Sequence, residues 1–561
     1  MSERESHPVD PGRLLSGDGT SDGPASSVGD TIGRRRFLEL AAAVGATGAA
    51  GGLGVALPAG RALAQERAPG PMGDQGAQEV LIALGNGEAP ALQFQAWPGG
   101  TGALLEKLWG DVGGTPFRRE PFDVEPWSGP VPGTEEEIAF LPAHRLAALV
   151  RERRISSVDL TNIYLERLHR LNPLLLCAVT ILDGRAREEA EQADNEIRAG
   201  NWRGPLHGLP WGVKDLFSAR GGPTTWGSED FASRVIDEDS EIVARLGRAG
   251  AVLVAKLATG RFAQGSNWFG GQTKNPWNPE EASGGSSAGP GSATAGGCVA
   301  FSIGTETRGS IVGPSRRCGL SALRPTYGRV SKYGGMVLAW SQDRVGPMCR
   351  SIEDCAMVFN AVHGTDDKDP STLTAPFRFE RNVDLSRMRI GYTEDAPQAF
   401  LDQLREIGAT PRPLPPIPEG DYAALGVESS AAFDSYVAPN GRLVPEEEGS
   451  TGRAGSRFRG GRDDLAFEFL QGQRRRLILM KQMQETLDGF DVYVSGDGET
   501  ALTAQTGNPA VIVPFGITEG DHPQPLCGTI IGALFADDKA LSVAHALQSR
   551  TRWHLGRPAL V

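Results

Sequence analysis

The sequence lacks the motifs that define several large functional classes. Its six cysteines include no Cys-x-x-Cys pair, so neither a zinc site nor a disulfide framework is indicated, and we interpret them as small buried thiols. The motifs of zinc proteases, EF-hands and P-loop proteins are missing as well. A net charge of −13 argues against a nucleic-acid partner, because phosphate binding needs clustered Lys and Arg. We therefore expect no metal site, no cofactor and no nucleic-acid partner.

Long apolar runs are also scarce, and the N terminus carries a weak one. Arg34, Arg35 and Arg36 precede Phe37 and Leu38, and a Gly/Ala-rich apolar run leads to an Ala-x-Ala cleavage pattern at residues 62–64. This pattern is typical of a twin-arginine signal peptide, which directs folded proteins out of the cytoplasm. The sequence thus predicts a leader over residues 1–64, a periplasmic or extracellular location, and no membrane anchor after leader removal. Whether the start site is genuine stays open.

The rest of the chain predicts an α/β architecture in one large domain. Residues 65–134 are rich in Pro, Gly and Trp and predict an extended, irregular segment before a catalytic domain over residues 135–561. Ser156 predicts the start of an amphipathic helix, and a second helix is expected over residues 185–199. Short apolar runs bounded by glycine predict buried strands at residues 251–255, 299–303, 390–392, 492–494 and 510–513. We expect a mixed, mostly parallel β-sheet covered by helices on both faces.

The residues that suggest chemistry lie in four ordered motifs. Gly-Val-Lys-Asp occupies residues 212–215, Gly-Gly-Ser-Ser residues 284–287, and Gly-Thr-Glu-Thr-Arg-Gly-Ser-Ile residues 304–311; Cys-Gly at 318–319 leads to Leu-Arg-Pro-Thr-Tyr-Gly at 323–328. In this order, with 24 positions from Ser286 to Ser310, they resemble the amidase signature family. Weaker likeness extends from about residue 141 to the C terminus.

The resemblance implies hydrolysis of a carboxamide through an acyl-enzyme, without metal or cofactor. Ser310 would be the nucleophile, Ser286 would relay its proton, and Lys214 would be the final base. For that role Lys214 must be neutral, which requires a pKa lowered by burial. The resemblance also implies a cis peptide bond between Gly285 and Ser286. It assigns the oxyanion hole to the backbone N–H groups of Thr307, Arg308, Gly309 and Ser310.

Three residues depart from the pattern that is common in the family. Glu306 stands where the family commonly has Asp, Arg308 where it has Gly, and Val312 where it often has Arg. The Thr-Glu-Thr form resembles that of secreted and peptide-type amidases. We expect Arg308 either to bind an anionic group of the substrate or to point to solvent or pair with Glu306.

Other residues near these motifs receive a plainer interpretation. Ser287 matches the Gly-x-Ser-x-Gly pattern of α/β-hydrolases, but Pro276 and Pro279 just before it exclude a central strand there. Asp215 is interpreted as a solvated carboxylate and His207 as a structural residue. The walls of the substrate pocket are expected from residues 120–140, 340–345 and 430–470, and a mobile surface loop from residues 439–464.

The sequence alone leaves three rival functions open. Glutamine-dependent amidotransferase A subunits share these motifs, but they work in the cytoplasm with partner subunits, and the predicted leader argues against that. An ester-specific hydrolase is the second possibility, and a catalytically silent binding protein on the same fold is the third. The expected partner is a small-molecule amide, and we leave a homodimer open.

Overall fold

The computed structural model describes residues 119–366, 368–455, 457–520 and 522–560. The predicted leader, and the predicted irregular segment as far as residue 118, lie outside the described residues. Residues 119–134 run without helix or strand. No helix within the described ranges combines the length and apolar character needed to cross a bilayer.

The described residues form fourteen α-helices and fifteen β-strands. The helices are α1 (Glu135–Ala139), α2 (Ala143–Arg151), α3 (Ser157–Leu175), α4 (Asp183–Arg198), α5 (Glu241–Arg248), α6 (Ala288–Ala295), α7 (Val312–Cys318), α8 (Ile352–Val362), α9 (Gln398–Glu406), α10 (Leu425–Ala432), α11 (Asp434–Val437), α12 (Ala466–Thr486), α13 (Thr500–Thr506) and α14 (Asp537–Gln548). The strands are β1 (Ala178–Ile181), β2 (Pro210–Lys214), β3 (Val252–Leu257), β4 (Asn267–Trp268), β5 (Gly271–Gln272), β6 (Lys274–Asn275), β7 (Asn278–Ala282), β8 (Phe301–Glu306), β9 (Ser321–Arg324), β10 (Arg344–Cys349), β11 (Ile390–Tyr392), β12 (Arg412–Pro413), β13 (Val492–Ser495), β14 (Ala510–Ile517) and β15 (Pro525–Gly532).

Eleven of these strands form one mixed sheet, in the order β1-β3-β2-β8-β10-β9-β14-β15-β13-β11-β12. The prediction of a mixed sheet is confirmed, but the expectation that it is mostly parallel is wrong. Four of the ten neighbouring pairs are parallel, namely β2 with β3 and β8, and β11 with β12 and β13. Five of the six antiparallel pairs are consecutive, from β8 to β13, and a short connection explains one of them. Residues 518–524, which join β14 to β15, are too few for a parallel crossover, which needs a dozen residues or more.

Apolar side chains cover both faces of this sheet, as predicted. Along β14, Val511 and Val513 belong to a core that includes residues of α8 and α14. Ala510 and Ile512 alternate with them and join a second core with residues of α7 and α12. This alternation follows from the strand repeat of two residues, and it buries the central strands between two layers of helices.

Most of the predicted local elements are present. Ser156 caps α3, and its hydroxyl accepts a hydrogen bond from the Asp159 N–H at 2.9 Å. The five predicted strands correspond to β3, β8, β11, β13 and β14; the bounds of β11 coincide with the prediction, and the ends of the other four differ from it by at most four residues. The described residues of 439–464 contain two short 3-10 turns and no α-helix or strand, in agreement with the predicted loop. All six cysteines are buried free thiols.

Candidate active site

The site begins with two parallel neighbours at the centre of the sheet. β2 pairs with β8 in parallel, with Val213 opposite Ile303, so the carboxyl ends of both strands meet at the same edge. Lys214 is the last residue of β2 and is fully buried. Its Nζ donates to the Thr305 hydroxyl at 2.9 Å and lies 3.3 Å from the Thr305 carbonyl. The pairing of β2 with β8 therefore places the Lys214 amine beside Thr305.

The same amine contacts both hydroxyls of the serine pair. Lys214 Nζ lies 2.8 Å from Ser286 Oγ and 3.0 Å from Ser287 Oγ. Burial lowers the pKa of Lys214 to about 7, although the carboxylates of Asp343 and Glu306 oppose part of this fall. The structure thus brings together two of the three predicted catalytic side chains. A substantial fraction of Lys214 is neutral near neutral pH, as a base must be.

The backbone around Ser286 is tightly enclosed. The peptide bond between Gly285 and Ser286 is cis, as the resemblance predicted. A Cβ on Gly285 would lie 1.9 Å from the carbonyl oxygen of Gly265, so no larger residue fits without movement. The Ser286 carbonyl accepts from the Gly260 N–H at 3.2 Å. These contacts hold the Ser286 hydroxyl against Lys214.

Ser310 lies in the turn between β8 and α7 and is half-buried, whereas Ser286 and Ser287 are fully buried. The Ser310 carbonyl accepts from the Ser287 N–H at 3.2 Å, which ties the turn to the serine pair. Ser287 also donates to the Thr305 carbonyl at 3.0 Å. Because Ser310 is only half-buried, it is the one of the three serines that a substrate can reach.

The strand that precedes Ser287 is not a central one. Pro279 lies in β7, which belongs to a two-stranded ribbon outside the main sheet, as expected from the prolines before Ser287.

A buried carboxylate holds this turn in shape. Glu306 Oε2 accepts from the N–H groups of Ile311 at 2.7 Å and Val312 at 2.9 Å, and Glu306 Oε1 accepts from Arg324 Nη1 at 2.8 Å. These bonds, with the Arg324 and Arg344 guanidinium groups, keep the pKa of Glu306 below its usual value despite burial. Within the described chain, four backbone N–H groups of the turn have no hydrogen-bond acceptor, namely those of Thr307, Arg308, Gly309 and Ser310. They are free to bind an oxyanion.

Arg308 has a different partner from the one expected. It does not pair with Glu306, which binds Arg324 instead. Arg308 forms a bidentate pair with Asp421, with Nη1–Oδ2 at 2.5 Å and Nη2–Oδ1 at 2.8 Å. Asp421 cannot be predicted from the sequence, because it lies 113 positions away in a segment without a motif. Thr305 stands within the third motif, and that position is the only sign in the sequence of its contact with Lys214.

The interpretation of Asp215 as a solvated carboxylate is wrong. Asp215 is fully buried and forms an ion pair with buried Lys256 at 2.6 Å, and its carboxylate also accepts from the Thr225 N–H at 3.0 Å. Asp215 directly follows β2, and its N–H donates to the carbonyl of Leu257 at 2.8 Å, which places it beside Lys256 of β3. His207 is buried, and its Nδ1 accepts from the Arg203 N–H, in agreement with a structural role.

Of the three predicted wall segments, residues 340–345 form hydrogen bonds with the turn. The Thr307 hydroxyl donates to Asp343 at 2.6 Å, and Arg308 Nε donates to Gln342 at 3.1 Å. In the 430–470 segment, aromatic side chains pack on Phe262, which follows Gly260. Residues 120–140 contact α2 and α8 instead, as in the bond from Trp127 N–H to Glu152. Within the described residues we find no hydrogen bond between that segment and the site.

Similarity to known proteins decides the family. The amidase family model matches residues 159–408. The A-type subunit of the glutamyl-tRNA(Gln) amidotransferase of Methylococcus capsulatus is 31% identical over 477 residues, which cover 74% of this chain and 98% of that protein. The chain belongs to the amidase family. The amidase is therefore an enzyme that hydrolyses amides.

Solved structures place the amidase among enzymes of the same fold. The native peptide amidase from Stenotrophomonas maltophilia aligns with a TM-score of 0.65 and 28% identity, covering 75% of this chain and 98% of its own. A 6-aminohexanoate cyclic dimer hydrolase aligns with a TM-score of 0.65 but 21% identity, which shows a likeness of fold alone. The residues that the family model matches, 159–408, include all four motifs of the sequence.

Proposed function

We propose that the amidase cleaves a carboxamide through an acyl-enzyme on Ser310. Ser310 Oγ attacks the carbonyl carbon while its proton passes to Ser286 Oγ, and the Ser286 proton passes to neutral Lys214 Nζ. The four free N–H groups of the turn stabilise the negative oxygen that forms. The carbon–nitrogen bond then breaks as the proton returns along the same route to the departing nitrogen. Water attacks the acyl-enzyme by the same steps and releases the acid.

The observation that carries this proposal is the buried Lys214 amine. Its Nζ lies 2.8 Å from Ser286 Oγ, and its pKa of about 7 allows it both to accept and to return a proton. A lysine with an ordinary pKa would hold its proton and would not act as a base at neutral pH. The site thus provides a base, a relay and an oxyanion hole from this chain's own residues.

Covalent labelling tests the roles of the three residues without a known substrate. We expect a serine-directed fluorophosphonate to give one adduct on Ser310 in the intact chain. Ser310→Ala should give none, and Lys214→Met should react about a hundredfold more slowly or worse, because the base is lost. Ser287→Ala is the control that keeps Ser286 and Ser310. An adduct on Ser287 or Ser286 would contradict the assignment.

A second candidate function rests on the similarity to the amidotransferase protein, which extends over 98% of its length. An assay of amide hydrolysis with the purified chain alone distinguishes the two functions. A hydrolase releases ammonia or an amine from simple carboxamides without any added protein. If ammonia is released from no amide other than glutamine, and only after partner subunits are added, the result would favour the amidotransferase. Matched esters and amides in the same assay separate an esterase from both.

We also propose that residues 1–64 export the folded enzyme by the twin-arginine route. The support is the sequence Arg-Arg-Arg-Phe-Leu at residues 34–38, followed by an apolar run and the Ala-x-Ala pattern. Arg34→Lys with Arg35→Lys should retain the uncleaved chain in the cytoplasm, while the unchanged leader gives a shorter chain outside. Equal export of the double variant and of the chain with the unchanged leader would contradict the proposal.

A further inference from the structure

Arg308, the cation of the turn between β8 and α7, forms hydrogen bonds to the protein through all three of its side-chain nitrogens. Arg308 lies two positions before Ser310, and both of its terminal nitrogens bind Asp421. Its Nε donates to Gln342 Oε1 at 3.1 Å. A bidentate carboxylate satisfies both the charge and the forked geometry of a guanidinium. A substrate carboxylate would therefore have to displace Asp421 before it could bind Arg308.

The segment that carries Asp421 is itself held in place. Gln505 Oε1 accepts from the N–H groups of Tyr422 at 2.7 Å and Ala423 at 3.1 Å, and Gln505 Nε2 donates to the Gly420 carbonyl at 3.0 Å. Gln505 is fully buried in α13. Asp421 is thus presented to Arg308 by a fixed backbone.

The same helix encloses the turn from a second side. A Cβ on Gly309 would lie 3.6 Å from the Thr500 hydroxyl at the start of α13, so the helix is in contact distance of the turn. Arg476 Nε, also buried, donates to the Gln505 carbonyl at 2.8 Å, and its Nη1 donates to the Ser341 hydroxyl. Glu428 accepts from the same Ser341. These hydrogen bonds join the residues beside Ser310 into one network, and the Asp421–Arg308 pair connects that network to the turn.

Carboxylates also lie at the start of α13. Glu499 precedes Thr500, and burial raises its pKa to about 7, with Asp497 and Asp395 adding to the rise. Asp421 neutralises Arg308, and the buried Arg476 guanidinium is bonded to the Gln505 carbonyl and to the hydroxyl and carbonyl of Ser341, so neither cation is turned toward an anion at the turn. A negatively charged acyl group would meet unfavourable electrostatics at that wall.

We propose that the Arg308–Asp421 pair sets the charge preference of the site, so that the amidase acts on neutral or cationic amides rather than on amides with a carboxylate near the scissile bond. The inference rests on the proposed function of Ser310. Asp421 contacts Arg308 rather than the reacting atoms, so it is a positioning residue, and Arg308 is the residue that it withdraws from the substrate. This assignment replaces the expectation that Arg308 binds an anionic substrate group.

Two matched anilides test the assignment. Butyryl 4-nitroanilide and succinyl 4-nitroanilide have acyl chains of the same length, one ending in a methyl group and one in a carboxylate. We expect the unchanged enzyme to favour the butyryl compound by about tenfold or more in kcat/KM. Asp421→Asn should raise kcat/KM for the succinyl compound about tenfold, because Arg308 becomes available, and should change the butyryl value less than about threefold.

Three further variants separate this effect from a loss of structure. Asp421→Glu should keep the original ratio, because the carboxylate is retained. Arg308→Ala combined with Asp421→Asn should lose the gain for the succinyl compound. Asp402→Asn, an equally exposed carboxylate that pairs with Arg405 within α9, should leave both values unchanged.

The possible failures point to different conclusions. An unchanged ratio in Asp421→Asn, or an original preference for the succinyl compound, would overturn the charge assignment while leaving the proposed function intact. No hydrolysis of either anilide together with no fluorophosphonate adduct on Ser310 would overturn the proposed function and this inference with it. A gain that survives the Arg308→Ala change would show that Arg308 does not carry it.

Discussion

Lys214 lies in surroundings that change its acid–base behaviour. It is fully buried at the end of β2, and burial lowers its pKa to about 7. Because the pKa is lowered, Lys214 loses its proton as the pH rises through about 7, and the base becomes available above that pH. We expect the second-order rate of fluorophosphonate labelling at Ser310 to rise about tenfold per pH unit below pH 7 and to level off above it.

The measurement is the labelling rate between pH 5.5 and 9, corrected for hydrolysis of the probe in buffer. Ser287→Ala serves as the control, since it removes one hydroxyl that contacts Lys214 Nζ and retains the base and the nucleophile. A rate that is flat across pH 7, or that falls as the pH rises, would contradict the role of Lys214 as the base.

Among individual residues, the sequence predicts a role only for those that stand in a motif. Ser286, Ser310 and Lys214 stand in ordered Gly-rich motifs, and the resemblance of these motifs to the amidase signature family selects them. Asp421 and Lys256 stand in no motif, and their contacts depend on how distant segments pack. Asp215 was misjudged for the same reason, because burial is a property of the folded chain rather than of the residue type.

The turn between β8 and α7 depends on one buried carboxylate. Glu306 binds two N–H groups of the turn and the guanidinium of Arg324. Glu306→Gln keeps the shape but leaves Arg324 buried without its counter-charge, and breaking such a pair costs about 3–5 kcal/mol. Since the oxyanion donors lie in this turn, we also expect the labelling rate at Ser310 to fall by about a hundredfold.

The free energy of unfolding, from urea titration, and the labelling rate at Ser310 check this prediction. Glu281→Gln is the matched control, because Glu281 pairs with Arg317 on the exposed surface and its loss should change stability by less than about 1 kcal/mol. If Glu306→Gln resembled that control in both measurements, the turn would not depend on the buried carboxylate.

Elements were predictable where the apolar pattern is continuous. The runs at residues 251–255 and 510–513, in β3 and β14, are uninterrupted, whereas β2 contains Pro210, Gly212 and Lys214. For that reason the apolar pattern does not predict β2, although β2 carries the proposed base. The direction of the strands could not be read either, because β10 follows β9 in the chain yet lies between β8 and β9 in the sheet.

The whole molecule forms its site from segments that are far apart in the chain. Lys214 and Ser286 are 72 positions apart, yet their side chains are in contact at the centre of the sheet. The strands β2, β8 and β10 are neighbours there and carry Lys214, Thr305 and Arg344. Stability of this central region and activity are therefore coupled, since any opening of the sheet separates the base from its relay.

The Asp215–Lys256 pair makes that coupling measurable. Both groups are fully buried, Asp215 directly after β2 and Lys256 in the neighbouring strand β3, and burial raises the pKa of Asp215 and lowers that of Lys256. Lys256→Met should lower the free energy of unfolding by about 3–5 kcal/mol, because Asp215 is left buried without a counter-charge. Adding Asp215→Asn removes that charge, so the double variant should be more stable than Lys256→Met alone. Urea titration of Lys256→Met, Asp215→Asn and the double variant checks this. A double variant whose loss equals the sum of the two single losses would show that the two groups do not act as a pair.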